Sequence, residues 1–307
     1  MKKIVRTVCI ILAALLFLSA AVFTVSAVIA AKKVYDPERK MLRSTPDELG
    51  LYFDGLEIPT ENGKISAWFI PAQKDKDSVS ESMQTVIVSH NYSDNREMND
   101  ISLLYTVKFL CRNGLNVVMF DYTGSGSSDG KGYSFGQKEE TEELCAVTDK
   151  IKELIPNGEI ILYGLGFGAA PVIETANKKG IEKIIADSLY ADLSTLLSQS
   201  MSYFTGVQNG FFNSAVKLFL PAVSPVDYSY PSPVETLEKT SGKKILLIYG
   251  QEDGILPSDT FQTVKSAAEK QNDVKLWLIP DCEHLYGMVK NGYNYRNILL
   301  AFIKGEE

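Results

Sequence analysis

His284 and Asp253 are the residues of this sequence best suited to moving a proton. The chain has only two histidines, His90 and His284, and each follows an apolar, strand-like run. His90 comes after Thr85–Ser89, and His284 closes Pro280-Asp281-Cys282-Glu283-His284. Asp253 follows Ile248-Tyr249-Gly250-Gln251-Glu252 in the same way. An imidazole oriented by a carboxylate serves as a general base and needs a nucleophile to act on. The place for one is Gly164-Leu165-Gly166-Phe167-Gly168, between a strand-like and a helix-like run. This is the context of the sharp G-x-S-x-G turn that presents a serine. The outer glycines, which permit close strand–helix approach, are present, but the middle position is Gly166, which has no side chain to acylate. A dinucleotide turn is the competing reading. It needs G-x-G-x-x-G at the first strand and an acid about 20 residues on. Here position 169 is Ala and the run lies mid-sheet.

The elements that must position these residues follow a rhythm. Leu51–Pro59 and Lys64–Pro71 read as two strands joined at Asn62-Gly63, a hairpin signal. Strand-like runs then recur at Thr85–Ser89, Asn116–Phe120, Glu159–Tyr163, Lys183–Asp187, Lys244–Tyr249 and Val274–Ile279. Helix-like runs lie between them: Ile101–Cys111, Gln137–Leu154, Phe167–Lys179 and Ser258–Lys270, with Tyr293–Lys304 last. Such alternation predicts an α/β fold, a mostly parallel sheet with helices on both faces and antiparallel strands at one edge. Residues 193–238 break the rhythm and carry Phe204, Phe211, Phe212 and Phe219. They are expected to form a lid-like insertion above the C-terminal edge of the sheet, where ligands bind in such folds. Its phenylalanines read as insertion core, as an acyl-binding wall, or as groups that dip into a nearby membrane.

The start of the chain is of another kind. Val8 to Ala31 is a run of 24 residues without a charge. At 1.5 Å per residue it can cross a hydrocarbon core of about 30 Å. A secretory signal has a shorter apolar region, although Val25-Ser26-Ala27 could be cut. Residues 1–33 are therefore expected to be an N-terminal membrane anchor of signal-anchor type, residues 34–49 a linker, and residues 50–307 the α/β domain. The chain is then single-pass in the cell membrane. Basic residues flank the span on both sides, so the positive-inside count does not set its orientation. The short basic start before a long apolar segment places the body outside the cytoplasm.

Charge and cysteine count exclude several partners. The net charge of −7 hides five basic groups and no acid in residues 1–33, leaving 26 basic and 38 acidic residues, −12, for the rest. An acidic body does not offer the basic footprint that nucleic acid requires. The four cysteines are scattered, with no C-x-x-C, and no phosphate loop or haem motif occurs. No metal and no cofactor is expected.

Nucleophile position, then Asp, then His is the chain order of the α/β-hydrolases. Further motifs fall in register with that order. Phe120-Asp121-Tyr122-Thr123-Gly124-Ser125-Gly126-Ser127-Ser128-Asp129-Gly130 resembles the F-D-Y-R-G-x-G-x-S-x-G loop of the serine aminopeptidase-like, esterase-type branch, with Thr123 in place of Arg. Ala186-Asp187-Ser188-Leu189-Tyr190-Ala191-Asp192 is similar to that branch's A-D-S-P-Y-A-D. The resemblance spans residues 50 to 305. It implies a remnant catalytic pair, Asp253 and His284, with Gly166 at the serine position. It also implies an oxyanion and binding loop of His90, Asn91 and Tyr92, completed by Phe167, with Asn91 where the family has Gly.

Three functions compete on these residues. The first is a degenerate hydrolase that binds a small acyl or peptide-like ligand, or a protein partner of unspecified kind. Its pocket would lie between Asn91, Tyr92, Gly166, Phe167, His284 and the insertion, with the Phe167 N–H free to hold an oxygen. The second is an active hydrolase of acyl ester, amide or peptide bonds, in which His284 and Asp253 activate a water held in the space beside Gly166. The third is a structural envelope protein, which expects a filled pocket. For His90 the structural reading is a side chain that ties its loop; for Asp253 and His284 it is a pair that joins two loops.

Overall fold

A computed structural model describes residues 2–306. The first helix, α1, runs unbroken over Lys2–Tyr35, as a segment free of Pro and Gly allows. It is the one described helix long and apolar enough to cross a membrane. The hairpin follows as β1 (Asp54–Thr60) and β2 (Gly63–Ile70). Thr60 pairs with Gly63, so Glu61-Asn62 are the turn residues and Gly63 is the first residue of the return strand. Next come β3 (Gln84–Ser89), α2 (Leu103–Arg112), β4 (Asn116–Phe120), α3 (Lys138–Leu154) and β5 (Glu159–Leu165). After β5 one 3-10 turn leads into α4 (Ala169–Lys179) and β6 (Lys183–Asp187). The insertion consists of α5 (Leu193–Thr205), α6 (Gly210–Val223) and α7 (Pro233–Lys239). The chain ends with β7 (Lys244–Gly250), α8 (Thr260–Ala268), β8 (Asp273–Ile279), α9 (Gly287–Lys290) and α10 (Gly292–Lys304).

The eight strands form one sheet in the order β1-β2-β4-β3-β5-β6-β7-β8. The β1–β2 and β2–β4 pairings are antiparallel and all others parallel. Because β3 and β5 are neighbours while β4 lies on the other side of β3, the direction of winding reverses at this point. The crevice of a doubly wound sheet forms at such a reversal, beyond the strand C-termini. The central strands β3, β4, β5 and β6 are almost wholly buried, which is why they read as continuous apolar runs. One core lies on each face: Ile87, Val118, Leu162 and Ile184 point to one, and Val86, Val117, Ile161 and Ile185 to the other. These sets alternate along each strand with the period of two that the pleat imposes.

The segment between α1 and β1 is docked on the body rather than hanging free. The Arg39 guanidinium donates to the carbonyls of Ser128 (2.6 Å) and Gly130 (2.8 Å). Glu97 accepts from the Arg43 N–H and the Ser44 hydroxyl. The last third of α1 is docked as well, with Ala27, Ala31 and Val34 buried.

Candidate functional site

All of the residues singled out for chemistry lie beyond the C-terminal ends of parallel strands. Gly166 follows β5, Asn91 follows β3, Asp253 follows β7 and His284 follows β8. The sheet order brings these four loops to one edge although they are up to some two hundred residues apart in sequence.

Asp253 and His284 meet. His284 Nδ1 lies 2.7 Å from Asp253 Oδ2, and both side chains are about nine-tenths buried. The other carboxylate oxygen, Oδ1, accepts the backbone N–H groups of Ile255 and Leu256, each at 2.9 Å. The carboxylate is thus held by its own loop, and it holds the imidazole in turn. No hydrogen bond to His284 Nε2 occurs among the described residues, and the ring lines a cleft.

The turn after β5 is sharp. Gly166 has φ +57, in the left-handed region. A Cβ at Gly164 would fall 2.4 Å from the Ala169 Cα, and one at Gly168 would fall 2.4 Å from the carbonyl oxygens of Ser89 and His90. The two outer glycines are therefore required by contact between the turn and the backbones around it, as the sequence pattern suggested. Gly166 differs from them, because its neighbour is a side chain. A Cβ there would lie 2.2 Å from Asn91 Oδ1 and 2.6 Å from Asn91 Cγ. The Asn91 amide fills the space that a residue with a side chain would need. Its Oδ1 also accepts the Phe167 N–H at 3.0 Å. The Phe167 donor, expected to be available to a ligand oxygen, is occupied from within the chain. The space beside Gly166, expected to hold a water, contains the same amide.

His90 faces inward. Its Nε2 accepts the Tyr122 N–H at 3.0 Å, so Nδ1 carries the proton and donates to the Asn91 carbonyl at 2.7 Å. The ring is buried, and burial holds its pKa below the usual histidine range. It bridges the β3 and β4 loops and does not line the cleft. Tyr92 bridges too. Its hydroxyl donates to the Val34 carbonyl at 2.7 Å, and its ring stacks on Phe135 (5.1 Å between centroids). Phe167, Phe204 and Tyr190 complete this aromatic cluster. Phe204 is therefore shared between the cluster and the cleft wall.

The cleft has a volume of about 450 Å³ and is lined by Asn91, Tyr92, Ser93, His284, Tyr203 and Phe204, with Lys33 and Lys40 at the side nearest α1. Neither Gly166 nor Phe167 lines it. Lys33, Lys40 and Tyr203 were not singled out from the sequence, since nothing in their spacing links them to a strand end. Asn91's position was legible and its direction was not. The signal that could have found it is volume: the smallest residue at 166 coincides with a larger one at 91.

Three acids of the body are shielded from water: Asp187 and Glu140 are buried, and Asp94, in the cleft wall, is mostly so. Burial pushes Asp187 up to about 6, against hydrogen bonds from Tyr295 and Ser188. Burial pushes Asp94 up to about 6 and Glu140 up to about 7. The Ser188 hydroxyl is spent on Asp187, which fits a structural loop serine. An acid whose pKa is higher folded than unfolded takes up protons on folding, so its contribution to stability falls as pH rises through that window. His90 acts in the opposite direction, as a single group below its unfolded pKa. The chain should melt at a higher temperature at about pH 6 than at about pH 8. Glu140→Gln should remove most of that difference; a melting temperature flat across the range would show that these acids are ionised at no cost.

The sheet order, the crossover helices and the Asp–His pair beyond the strand C-termini define an α/β-hydrolase fold. No family model matches it. Among curated proteins it is similar to the uncharacterized protein YfhR of Escherichia coli K12, 24% identical over 255 residues, covering 81% of this chain and 80% of that one. It is also similar to the uncharacterized protein YqkD of Bacillus subtilis, 23% identical over 223 residues, covering 71% and 70%. Among solved structures the Pyrococcus furiosus esterase Pf2001 superposes with a TM-score of 0.73 at 26% identity, over 88% of this chain and 97% of that one. XC6422 from Xanthomonas campestris, an α/β serine hydrolase without a lid, shares the fold at a TM-score of 0.56 and 18% identity, over 87% and 97%.

Proposed function

We propose that this chain is a membrane-anchored protein of hydrolase fold that acts by binding a small acyl or peptide-like ligand, or a protein partner, in the cleft beside His284. In this reading it forms no acyl-enzyme. The observation that carries the reading is the Asn91 amide, which lies where a nucleophile side chain would stand and takes the Phe167 N–H. The same amide removes the support for a water poised beside Gly166. A purely structural role expects a filled pocket, whereas the cleft of about 450 Å³ is open. The signal-anchor reading, with the body outside the cytoplasm, rests on the long apolar helix behind a short basic start.

The test is p-nitrophenyl ester hydrolysis by the full chain in detergent micelles. The full chain is needed because Ala27, Ala31 and Val34 are buried against the body. We expect no turnover above buffer, and no change in His284→Ala. Turnover that disappears in His284→Ala would make the protein an enzyme and overturn the proposal.

A further inference from the structure

The insertion helix α6 lies alongside the anchor. Phe23 of α1 stacks on Phe211 (5.1 Å between centroids, 28° between planes) and meets Phe212 edge-on (5.8 Å). Beyond Phe23, the anchor residues Ala27, Ala31 and Val34 are buried in the same apolar cluster as Val216 and Leu220 of α6. Small residues at 27 and 31 allow the close approach. Contact with α1 leaves one stripe of α6 uncovered, and it begins at the outer side of Phe211. Phe211 is 77% exposed and Leu218 72% exposed, and Ala222 is exposed as well. At 100° per residue, positions 211, 218 and 222 fall on one stripe. The single charge of α6, Lys217, is turned away to Ser194 and Ser198 on α5.

Depth along the anchor decides what covers this stripe. A hydrocarbon core of about 30 Å takes about 20 residues of helix. Counted from Val8, where the uncharged run begins, it ends near residue 27. Phe23 lies within that span, and Lys32 and Lys33 come just after it. Phe211, stacked on Phe23, is therefore held at the level of acyl chains rather than of water. Resting on the reading of α1 as a membrane-spanning helix, we propose that α6 is a second membrane contact. The Phe211 end of its exposed stripe is embedded among acyl chains of the leaflet on the body's side and the Leu218–Ala222 part lies at the headgroup boundary, so the insertion is seated in the bilayer rather than tethered above it. The occupant of this face is lipid. An apolar helix face fixed beside a membrane span meets acyl chains before any soluble partner.

The experiment uses the full chain in phosphatidylcholine vesicles with an environment-sensitive nitrobenzoxadiazole label on single cysteines. Cys9 and Cys145 are replaced by Ser; Cys111 and Cys282 are buried. Labels are placed at Phe211→Cys and Leu218→Cys. Leu16→Cys reports on the anchor and Lys76→Cys on the loop after β2, at the opposite edge of the sheet. Nitroxide lipids carry the quencher near the headgroup or near the chain end. We expect Leu16→Cys to lose most of its emission to the deep quencher and Lys76→Cys to lose none. Phe211→Cys and Leu218→Cys should lose most of theirs to the shallow one, with a blue shift. If Leu16→Cys is quenched but the two α6 sites behave like Lys76→Cys, the proposal is wrong and the anchor stands. If Leu16→Cys is not quenched either, the membrane reading fails and the proposal fails with it.

Discussion

The double variant Asn91→Gly/Gly166→Ser should hydrolyse p-nitrophenyl esters, while neither single change does. Gly166→Ser alone places a Cβ 2.2 Å from Asn91 Oδ1, so the new side chain must displace the amide or distort the turn. Asn91→Gly alone frees the Phe167 N–H but supplies no nucleophile. Together they leave a hydroxyl at the turn, a free backbone donor beside it and a His284 already oriented by Asp253 at 2.7 Å. In a studied serine protease the loss of the serine costs about 10⁶ in kcat, and the loss of one oxyanion donor roughly 10²–10³. Even an imperfect restoration should therefore raise turnover by at least roughly 10³ over the native chain, and His284→Ala should abolish the gain. The φ of +57 at position 166 costs a serine about 1–3 kcal/mol, so a lowered melting temperature should accompany the activity. A double variant that folds and stays silent would mean that His284 Nε2 does not face the turn. A single Gly166→Ser variant as active as the double would mean that the Asn91 amide moves aside freely, and the closure argued above would lose its basis.

Asp121→Ala should destabilise the body by about 3–5 kcal/mol, the range for breaking a buried ion pair from one side. Asp121 is fully buried and opens the loop after β4. Its oxygens accept the N–H groups of Arg96 (2.7 Å) and Ser127 (2.8 Å). The Arg96 guanidinium lies against it, with Nε 3.5 Å from Oδ2, packed over the Trp68 ring at 4.5 Å. Gly126 completes the arrangement, since a Cβ there would fall 2.1 Å from Asp121 Oδ2. Removing the carboxylate leaves Arg96 charged and buried with no counter-ion, and leaves two N–H groups without an acceptor. Arg96→Met should cost less, because Asp121 keeps both N–H groups and Met occupies a similar volume. Thermal unfolding in detergent, followed by near-ultraviolet circular dichroism, measures both. If Arg96→Met proves the more damaging, the Trp68–guanidinium stack, rather than the charge pair, holds the loop.

The sequence by itself determined the elements and their order. Helix and strand periodicity is local, so Asn116–Phe120 and Lys183–Asp187 carry the same limits in sequence and structure, and the long uncharged run forms one apolar helix. Pattern also determined which residues lie at strand ends, because turn residues and apolar runs mark those ends directly; this is why Asp253, His284 and Gly166 were legible as a set, while Asn91 entered only through the family resemblance. The tertiary structure decided where their side chains point. His90 turns inward to the Tyr122 N–H, and the Asn91 amide turns into the space beside Gly166; both depend on backbone brought close from strands remote in sequence. It also decided that residues 193–238 are three helices and that α6 packs on α1, through contacts between Phe23 and residues nearly two hundred positions away. Periodicity shows that a face is apolar, but what covers that face is set by the packing of other elements, and no local pattern carries that information.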